Sequence, residues 1–207
     1  MDRRKALKNL TYSLGYAVAT PTIFSILSSC TSEVETWKPV YFTEVQKHMV
    51  THLVDIIIPA TDVAGGLDVN VPQFMDLMYK DIEQENNQNS FQKGAVIFQK
   101  KFESQFSKEI LKGEKEEIQE LFESYFVISE DETKRILKEQ KRSEEKISEE
   151  GKEEFFVYKF LMSVRYYAIF GYFTSEKVGE EILSYDPVPG VYLGCIPLSD
   201  VGNAWSL

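Results

Sequence analysis

Cysteine and histidine are scarce in this chain of 207 residues, which contains two of each. Covalent attachment of a c-type haem needs a pair of cysteines followed by histidine, and Cys195 instead stands alone before Ile196. If Cys30 carries a lipid, as argued below, Cys195 is the last free thiol and no internal disulfide can form. The sequence therefore excludes a covalent haem and a disulfide-stapled fold.

Spaced glycines and clustered basic residues are also lacking. The pair Gly65 and Gly66 lies in a helix-rich sequence and does not form the strand, glycine turn and helix of a dinucleotide-binding fingerprint, so we expect no FAD site on this chain. The formal net charge is −10, with 23 basic against 33 acidic residues. Nucleic acids bind proteins whose clustered basic side chains displace counterions, so a nucleic-acid partner is excluded.

A long apolar run is missing too. Residues 10–27 are apolar but interrupted by Thr, Ser, Gly and Pro, which is poor for a spanning helix of roughly twenty apolar residues. We interpret residues 1–29 as a removable signal, because Arg3 and Arg4 resemble a twin-arginine export signal. Leu27-Ser28-Ser29-Cys30 resembles a lipobox, which predicts acylation of Cys30, a tether over residues 30–42, and an exported, membrane-anchored lipoprotein facing the periplasm or cell exterior.

Residues 43–207 are predicted to form one all-α domain, an irregular helical bundle around a central apolar helix. Thr43 and Gln46 fit a capping box at a helix start, and Pro59 ends that helix. A loop over residues 60–70 leads to a helix that opens at Val71-Pro72, with Phe74, Leu77, Met78 and Tyr79 expected on its inner side. Two further apolar stripes at helical spacing comprise Phe91, Ala95, Phe98, Phe102 and Phe106, then Ile118, Leu121, Phe122, Tyr125 and Phe126.

The second half of the chain contains three regions of different amino-acid composition. Residues 130–154 are charged and predict a solvated helix or a mobile connection, with a second capping box from Ser129 to Glu132. Residues 155–170 are almost entirely apolar and predict the central helix, in which Arg165 would be buried beside an acid. From Asp186 onward, Pro and Gly forbid a regular helix, yet the apolar content is too high for disorder, so we expect a long non-regular tail that lies along a surface.

One constellation offers an independent activity. Glu44, His48, His52 and Asp55 recur at helical spacing and could hold a metal or haem, which would make the chain a small metal- or redox-binding envelope lipoprotein. The alternative is a polar border of the core. Cys195 has no base nearby in sequence, and we expect a half-buried structural thiol.

Two stretches carry a family resemblance. The first runs from Asp55 through Pro59-Ala60-Thr61-Asp62 and Gly65-Gly66 to Phe74, and the second runs from Gly171-Tyr172-Phe173-Thr174-Ser175-Glu176 to Pro197. Together they resemble the gluconate 2-dehydrogenase subunit 3 family. The resemblance implies a non-catalytic subunit that stabilises, and helps to export, an FAD-bearing large subunit of the glucose-methanol-choline kind, often with a cytochrome c subunit. Two features depart from the usual pattern, namely the lipobox and the charged run over residues 130–154.

The motif residues are the candidates for contact with that partner. They are Pro59, Thr61, Asp62, Gly171, Tyr172, Phe173, Thr174, Ser175, Glu176, Tyr185, Asp186, Pro187, Pro189, Gly190, Tyr192, Gly194 and Cys195. Local roles are open to them as well: Gly171 would permit a backbone turn, and Thr174 or Ser175 would cap the following helix, with Glu176 at its positive end. A generic envelope lipoprotein with another partner stays a further possibility.

Overall fold

The computed structural model describes residues 37–185, 190 and 194–206. The predicted signal over residues 1–29, the lipidated Cys30 and most of the tether lie outside these residues, as do Asp186, Pro187, Pro189 and Tyr192. Within the described ranges, no helix has both the length and the apolarity that a membrane span requires.

The described chain is helical and forms no sheet, which confirms the all-α prediction. The α-helices are α1 (Glu44–Ile57), α2 (Val71–Asp81), α3 (Glu85–Phe106), α4 (Lys115–Phe126), α5 (Glu130–Gln140), α6 (Lys152–Phe173) and α7 (Leu198–Val201). Short 3₁₀ turns occupy Ile110–Lys112, Glu144–Lys146 and Glu149–Gly151, and a π-helix occupies Val178–Ile182.

Both predicted capping boxes are present. The Thr43 hydroxyl accepts from the Gln46 amide while the Gln46 side chain accepts from the Thr43 amide, and Ser129 and Glu132 repeat the arrangement at α5. Each box satisfies two backbone donors that a helix start leaves unpaired. The charged run is therefore a capped helix whose Ile136 is buried, followed by short turns in which Ile147 is also buried.

Helix α6 is the centre of the bundle, because it packs against α1, α2, α3 and α5 and most extensively against α3. The two long helices approach closely at Gly94, where a β-carbon would lie 2.1 Å from the Phe156 carbonyl oxygen. The Phe160 ring fills the same interface, 5.0 Å from the Phe91 ring and 5.6 Å from the Phe98 ring between centroids. Of the stripe predicted from Phe91 to Phe106, the first four residues are buried as expected and Phe106 is half-buried.

Two expectations about burial were wrong. Arg165 was expected in a low-dielectric setting beside an acid, but its side chain is exposed, and it forms no ion pair with the described residues. Leu77 was expected on the inner side of α2, but it is 53% exposed. Val71, Met75 and Asp76 are buried on α2, and Tyr79 is buried as expected.

Asp76 fixes the segment that precedes α1. Its carboxylate is 1% exposed and accepts three backbone N–H groups, from Val40 at 2.7 Å, Tyr41 at 3.0 Å and Phe42 at 2.8 Å. Phe42 is buried between the rings of Tyr79 and Phe91. Residues 40–42 therefore belong to the folded part, and the tether predicted over residues 30–42 ends earlier than expected.

The C-terminal residues return to the end of the π-helix. The Ser184 amide donates to the Ala204 carbonyl, the Ser206 amide donates to the Ser184 carbonyl, and an isolated parallel bridge joins Ser184 to Trp205. The Asn203 side chain donates to the Ile182 carbonyl at 2.6 Å. Among the described residues after Tyr185, most are non-regular, as predicted, but Leu198–Val201 form the single turn α7, which the prediction did not allow.

Candidate functional site

The loop between α1 and α2 closes tightly on the end of α1. The Gly66 amide donates to the Ile58 carbonyl at 2.8 Å, and the Gly65 amide donates to the Asp68 carboxylate at 2.7 Å. A β-carbon on Gly65 would lie 2.4 Å from the Ala60 nitrogen, and one on Gly66 would lie 2.6 Å from a Val54 methyl group. The two glycines are therefore needed because the backbone passes where a side chain has no room.

The second motif meets the first at the C-terminal end of α6. The Tyr172 hydroxyl donates to the Ala64 carbonyl of the loop at 2.8 Å, and Gly171 lies against Phe74 of α2. Gly171 was expected to permit a turn, but it lies inside α6, where a β-carbon would be 2.7 Å from the Phe74 ring. Its small size serves helix packing, and both residues are buried rather than available to a partner.

The residues after Gly171 end the helix. The Thr174 hydroxyl donates to the Phe170 carbonyl and the Ser175 hydroxyl donates to the Tyr172 carbonyl, both at 2.7 Å. The expected capping of the following helix is therefore wrong, since no side chain caps the π-helix that begins at Val178. Both carbonyls also accept the backbone N–H of the same residue, from Thr174 to Phe170 and from Ser175 to Tyr172, so the two hydroxyls add a second hydrogen bond at the end of α6.

Beside this junction, α6 and α2 expose an aromatic strip, defined by Tyr166, Phe170, Phe173 and Phe74. Tyr166 is 60%, Phe170 is 40% and Phe173 is 52% exposed. The Tyr166 and Phe170 rings stack at 5.9 Å, and the Phe74 ring lies 5.8 Å from that of Phe170. Exposed Leu77 follows Phe74 by one helical turn. Contiguous exposed rings of this kind mark surfaces that bind other proteins.

The predicted contact residues divide by exposure. Gly171 and Tyr172 are buried and Ser175 is partly buried. The exposed candidates are Pro59, Thr61, Asp62, Phe173, Thr174, Glu176, Tyr185, Gly190, Gly194 and Cys195. Cys195 was expected to be half-buried and is instead a free, exposed thiol. Sequence reasoning missed Tyr166, Phe170, Phe74 and Leu77, because an apolar run does not reveal which of its faces stays uncovered.

The histidine strip of α1 is half-buried and contacts neighbouring residues of the chain. The His48 ring lies 4.5 Å from the His52 ring and its Nε2 is 3.1 Å from the Gly113 carbonyl oxygen. Asp55 pairs with Lys115 at 2.6 Å, and burial together with His48 lowers the pKa of His52. No group of three or more metal-ligating side chains occurs in the described part of the chain. The strip therefore resembles the polar border that the sequence left open.

Asp76 is the polar residue that sequence analysis overlooked. The available signal was an acid within the apolar set of α2, between Met75 and Leu77 and one turn before Tyr79. A buried carboxylate has to be hydrogen-bonded, so an acid in that position indicates a segment of backbone docked on it.

Comparison of the sequence with known protein families gives a match that covers most of the helical domain. The protein family described as gluconate 2-dehydrogenase subunit 3 matches residues 44–190, from the start of α1 into the second motif. No curated protein and no solved structure gives a significant match. Tyr192, Gly194 and Cys195 lie beyond the matched range. Since the match covers well over half of the chain, the protein belongs to the gluconate 2-dehydrogenase subunit 3 family.

Proposed function

We propose that this protein is a non-catalytic subunit that binds and stabilises an FAD-dependent dehydrogenase large subunit of the glucose-methanol-choline kind. The observation that carries the proposal is the junction of the two family motifs at one end of the bundle, next to the exposed aromatic strip. Membership of the family implies a dehydrogenase complex, and the aromatic strip is the surface that would contact its large subunit. FAD, and haem c where a cytochrome subunit is present, belong to the partners in this proposal.

The strip has the properties of an interface centre. Aromatic rings bury a large area for little loss of side-chain entropy, and they dominate the binding energy of many interfaces. Three exposed acids close to the strip in sequence, Glu176, Glu180 and Glu181, are accompanied by two exposed cations, Arg165 and Lys177. The partner surface that complements this one is therefore apolar at its centre and carries charges of both signs at its rim.

Export and anchoring form the second part of the proposal. Paired Arg3 and Arg4 support export in a folded state, which would let a partner without its own signal cross the membrane with this subunit. Acylated Cys30 would then hold the complex on the outer side of the membrane. Mass spectrometry of the purified protein tests the anchor, since a mature N-terminus other than lipidated Cys30 contradicts it.

Co-expression with the FAD-dependent large subunit of the same organism tests the main proposal. The full chain, tagged at its C-terminus, is expected to co-purify with a yellow, FAD-containing protein, and the large subunit made alone is expected to be less soluble. Phe173→Ser is expected to reduce recovery of the large subunit at least tenfold, because the strip loses a 52% exposed ring.

Val127→Ser is the matched control, because Val127 is a 79% exposed apolar residue outside the strip, in the link between α4 and α5. It is expected to leave recovery unchanged. Equal recovery with Phe173→Ser and Val127→Ser would contradict the proposed surface. Failure of every version, including the wild type, to retain the large subunit would contradict the proposed function itself.

A further inference from the structure

A groove between α4, α5 and α6 has a mainly apolar lining and shares no residue with the aromatic strip. Helix α4 contributes Tyr125 and Phe126, α5 contributes Ile136 and Leu137, and α6 contributes Met162. The groove has a volume of about 450 Å³. Sites for small molecules usually have volumes of roughly 300 to 1,000 Å³, so the groove is large enough for a ligand.

The floor of the groove is fixed by buried side chains. Tyr158 is 3% exposed, its hydroxyl donates to the Tyr125 carbonyl at 2.7 Å, and its ring lies edge-on to that of Tyr125 at 5.4 Å between centroids. Ile136 beside it is also 3% exposed, whereas Leu137 on the open wall is 49% exposed. The groove is therefore preformed, and a ligand that covers Leu137 removes apolar surface from water without reorganising the floor.

Arg165 is the charged group of this groove. No acid occurs among the described residues that line it. The Arg165 side chain is exposed and forms no ion pair with the described residues. A guanidinium can donate two parallel N–H groups to one carboxylate. In a chain with a net charge of −10, a cation without a neighbouring acid at the edge of an apolar groove favours an anionic ligand with an apolar body.

The walls of the groove favour an alkyl chain over a peptide. All the described lining residues except Ile128 belong to α-helices, whose backbone N–H groups are hydrogen-bonded within the helix. The hydroxyls of Tyr158 and Thr133 donate to the carbonyls of Tyr125 and Ser129. An extended peptide would therefore leave its own backbone groups unpaired against these walls, which costs free energy. An alkyl chain has no polar groups to satisfy.

We propose that this groove, which we call the Arg165 groove, binds the anion of a single-chain fatty acid. The carboxylate pairs with the Arg165 guanidinium at the surface, and the alkyl chain lies against Leu137 and Met162 and over the ring of Tyr158. The proposal concerns the chain by itself and does not depend on a large subunit, so it and the proposed function can fail separately.

Titration calorimetry on the purified full chain tests the proposal with four probes below their micelle-forming concentrations. Decanoate carries the charge and the chain, butyrate lacks most of the chain, 1-decanol lacks the charge, and decyltrimethylammonium carries the opposite charge. Each methylene that the groove buries tightens binding by about fourfold, so decanoate is expected to bind at least about tenfold more tightly than butyrate. It is expected to exceed 1-decanol by about threefold and decyltrimethylammonium by more.

Two results with the wild type overturn the proposal. One is the absence of decanoate binding. The other is binding of 1-decanol or decyltrimethylammonium as tightly as decanoate, because Arg165 would then not select an anion.

The charge is tested with a matched pair of arginines. Arg165→Gln is expected to weaken decanoate binding by about threefold or more and to leave 1-decanol binding unchanged. Arg142→Gln is the control, because Arg142 is also exposed, forms no ion pair with the described residues and does not line the groove. It removes the same charge and is expected to leave decanoate binding unchanged. Equal decanoate affinities of Arg165→Gln and the wild type would overturn the proposal.

The apolar wall is tested with a matched pair of leucines. Leu137→Ser is expected to weaken decanoate and 1-decanol alike, by about threefold or more. Leu111→Ser is the control, because Leu111 is 50% exposed against 49% for Leu137 and lies outside the groove. Equal decanoate binding by the two variants would place the ligand elsewhere and overturn the proposal. If the wild type binds no decanoate and Leu137→Ser instead lowers recovery of the large subunit, the groove is part of the protein interface and the fatty-acid proposal is wrong.

Discussion

The two halves of α6 differ in how far they are covered. From Phe155 to Val164 no side chain is exposed: Phe160 lies among the rings of α3, and the backbone of Phe156 packs against Gly94. From Arg165 to Phe173 the helix exposes three rings, while the Tyr167 and Tyr172 hydroxyls donate to Glu83 and to the Ala64 carbonyl. The sequence is equally apolar in both halves. The comparison indicates that the first half builds the domain and the second half presents a surface.

The largest expected effect compares a glycine of α3 that faces the first half of α6, Gly94, with a glycine inside the second half, Gly171. Gly94→Ala places a methyl group 2.1 Å from a backbone carbonyl that cannot move without shifting α6, so we expect the free energy of unfolding to fall by at least about 3 kcal/mol. Gly171→Ala meets the Phe74 ring, which is partly exposed and can turn away, so a loss of about 1 kcal/mol is expected.

Urea unfolding followed by circular dichroism measures both changes. Gly190→Ala is the control, because no atom of the described residues lies within 4 Å of the added carbon, and it is expected to be neutral. If Gly94→Ala and Gly171→Ala lower the free energy of unfolding by similar amounts, the two halves of α6 do not differ in how well their neighbours can move.

The next largest effect concerns Asp76, whose carboxylate accepts hydrogen bonds from the segment that precedes α1. Asp76→Asn replaces one acceptor oxygen by an NH₂ group that faces backbone N–H donors, so we expect the free energy of unfolding to fall by about 2 kcal/mol. Limited proteolysis near residue 40 reports the expected release of that segment. Asp81→Asn, at the exposed end of the same helix, is the control, and an equal loss there would assign the effect to α2 in general.

The sequence was sufficient for features that depend on local chemistry. The capping boxes of α1 and α5, the loop with Gly65 and Gly66 and the buried stripe of α3 all follow from neighbouring residues, and all are present. Helix periodicity and capping are short-range effects, so one sequence reveals them.

Features that depend on long-range packing were missed. The exposure of Tyr166 and Phe170 depends on where α2 and α5 leave α6 uncovered, and the role of Asp76 depends on a segment more than thirty positions earlier. A partner surface and a core are both apolar, and periodicity does not distinguish them. The two family motifs meet at one end of the bundle, and two of their residues, Gly171 and Tyr172, are buried and serve the fold.

A smaller effect tests the bond between the two motifs. Tyr172→Phe leaves the Ala64 carbonyl without its donor, so we expect the free energy of unfolding to fall by about 1 kcal/mol, with hydrogen exchange increasing in the loop over residues 58–70 more than elsewhere. Tyr185→Phe removes a hydroxyl from a 48% exposed ring and is expected to change neither quantity. Uniform exchange across the bundle in Tyr172→Phe would show that the junction is not a local unit.

The smallest expected effect is a difference in alkaline sensitivity within the second half. Burial, followed by the hydrogen bond to Glu83, raises the pKa of Tyr167 above its usual value of 10.0. The unfolded chain therefore loses this proton first as the pH rises, and the stability that the protonated phenol contributes is complete below pH 10 and is lost above it. The loss grows as the pH rises further above 10. Tyr167→Phe is expected to flatten the decline in unfolding free energy between pH 9.5 and 11, whereas Tyr166→Phe, which alters a 60% exposed ring, is expected to keep the wild-type slope. If both variants have the wild-type slope, the hydrogen bond to Glu83 does not hold the second half of α6.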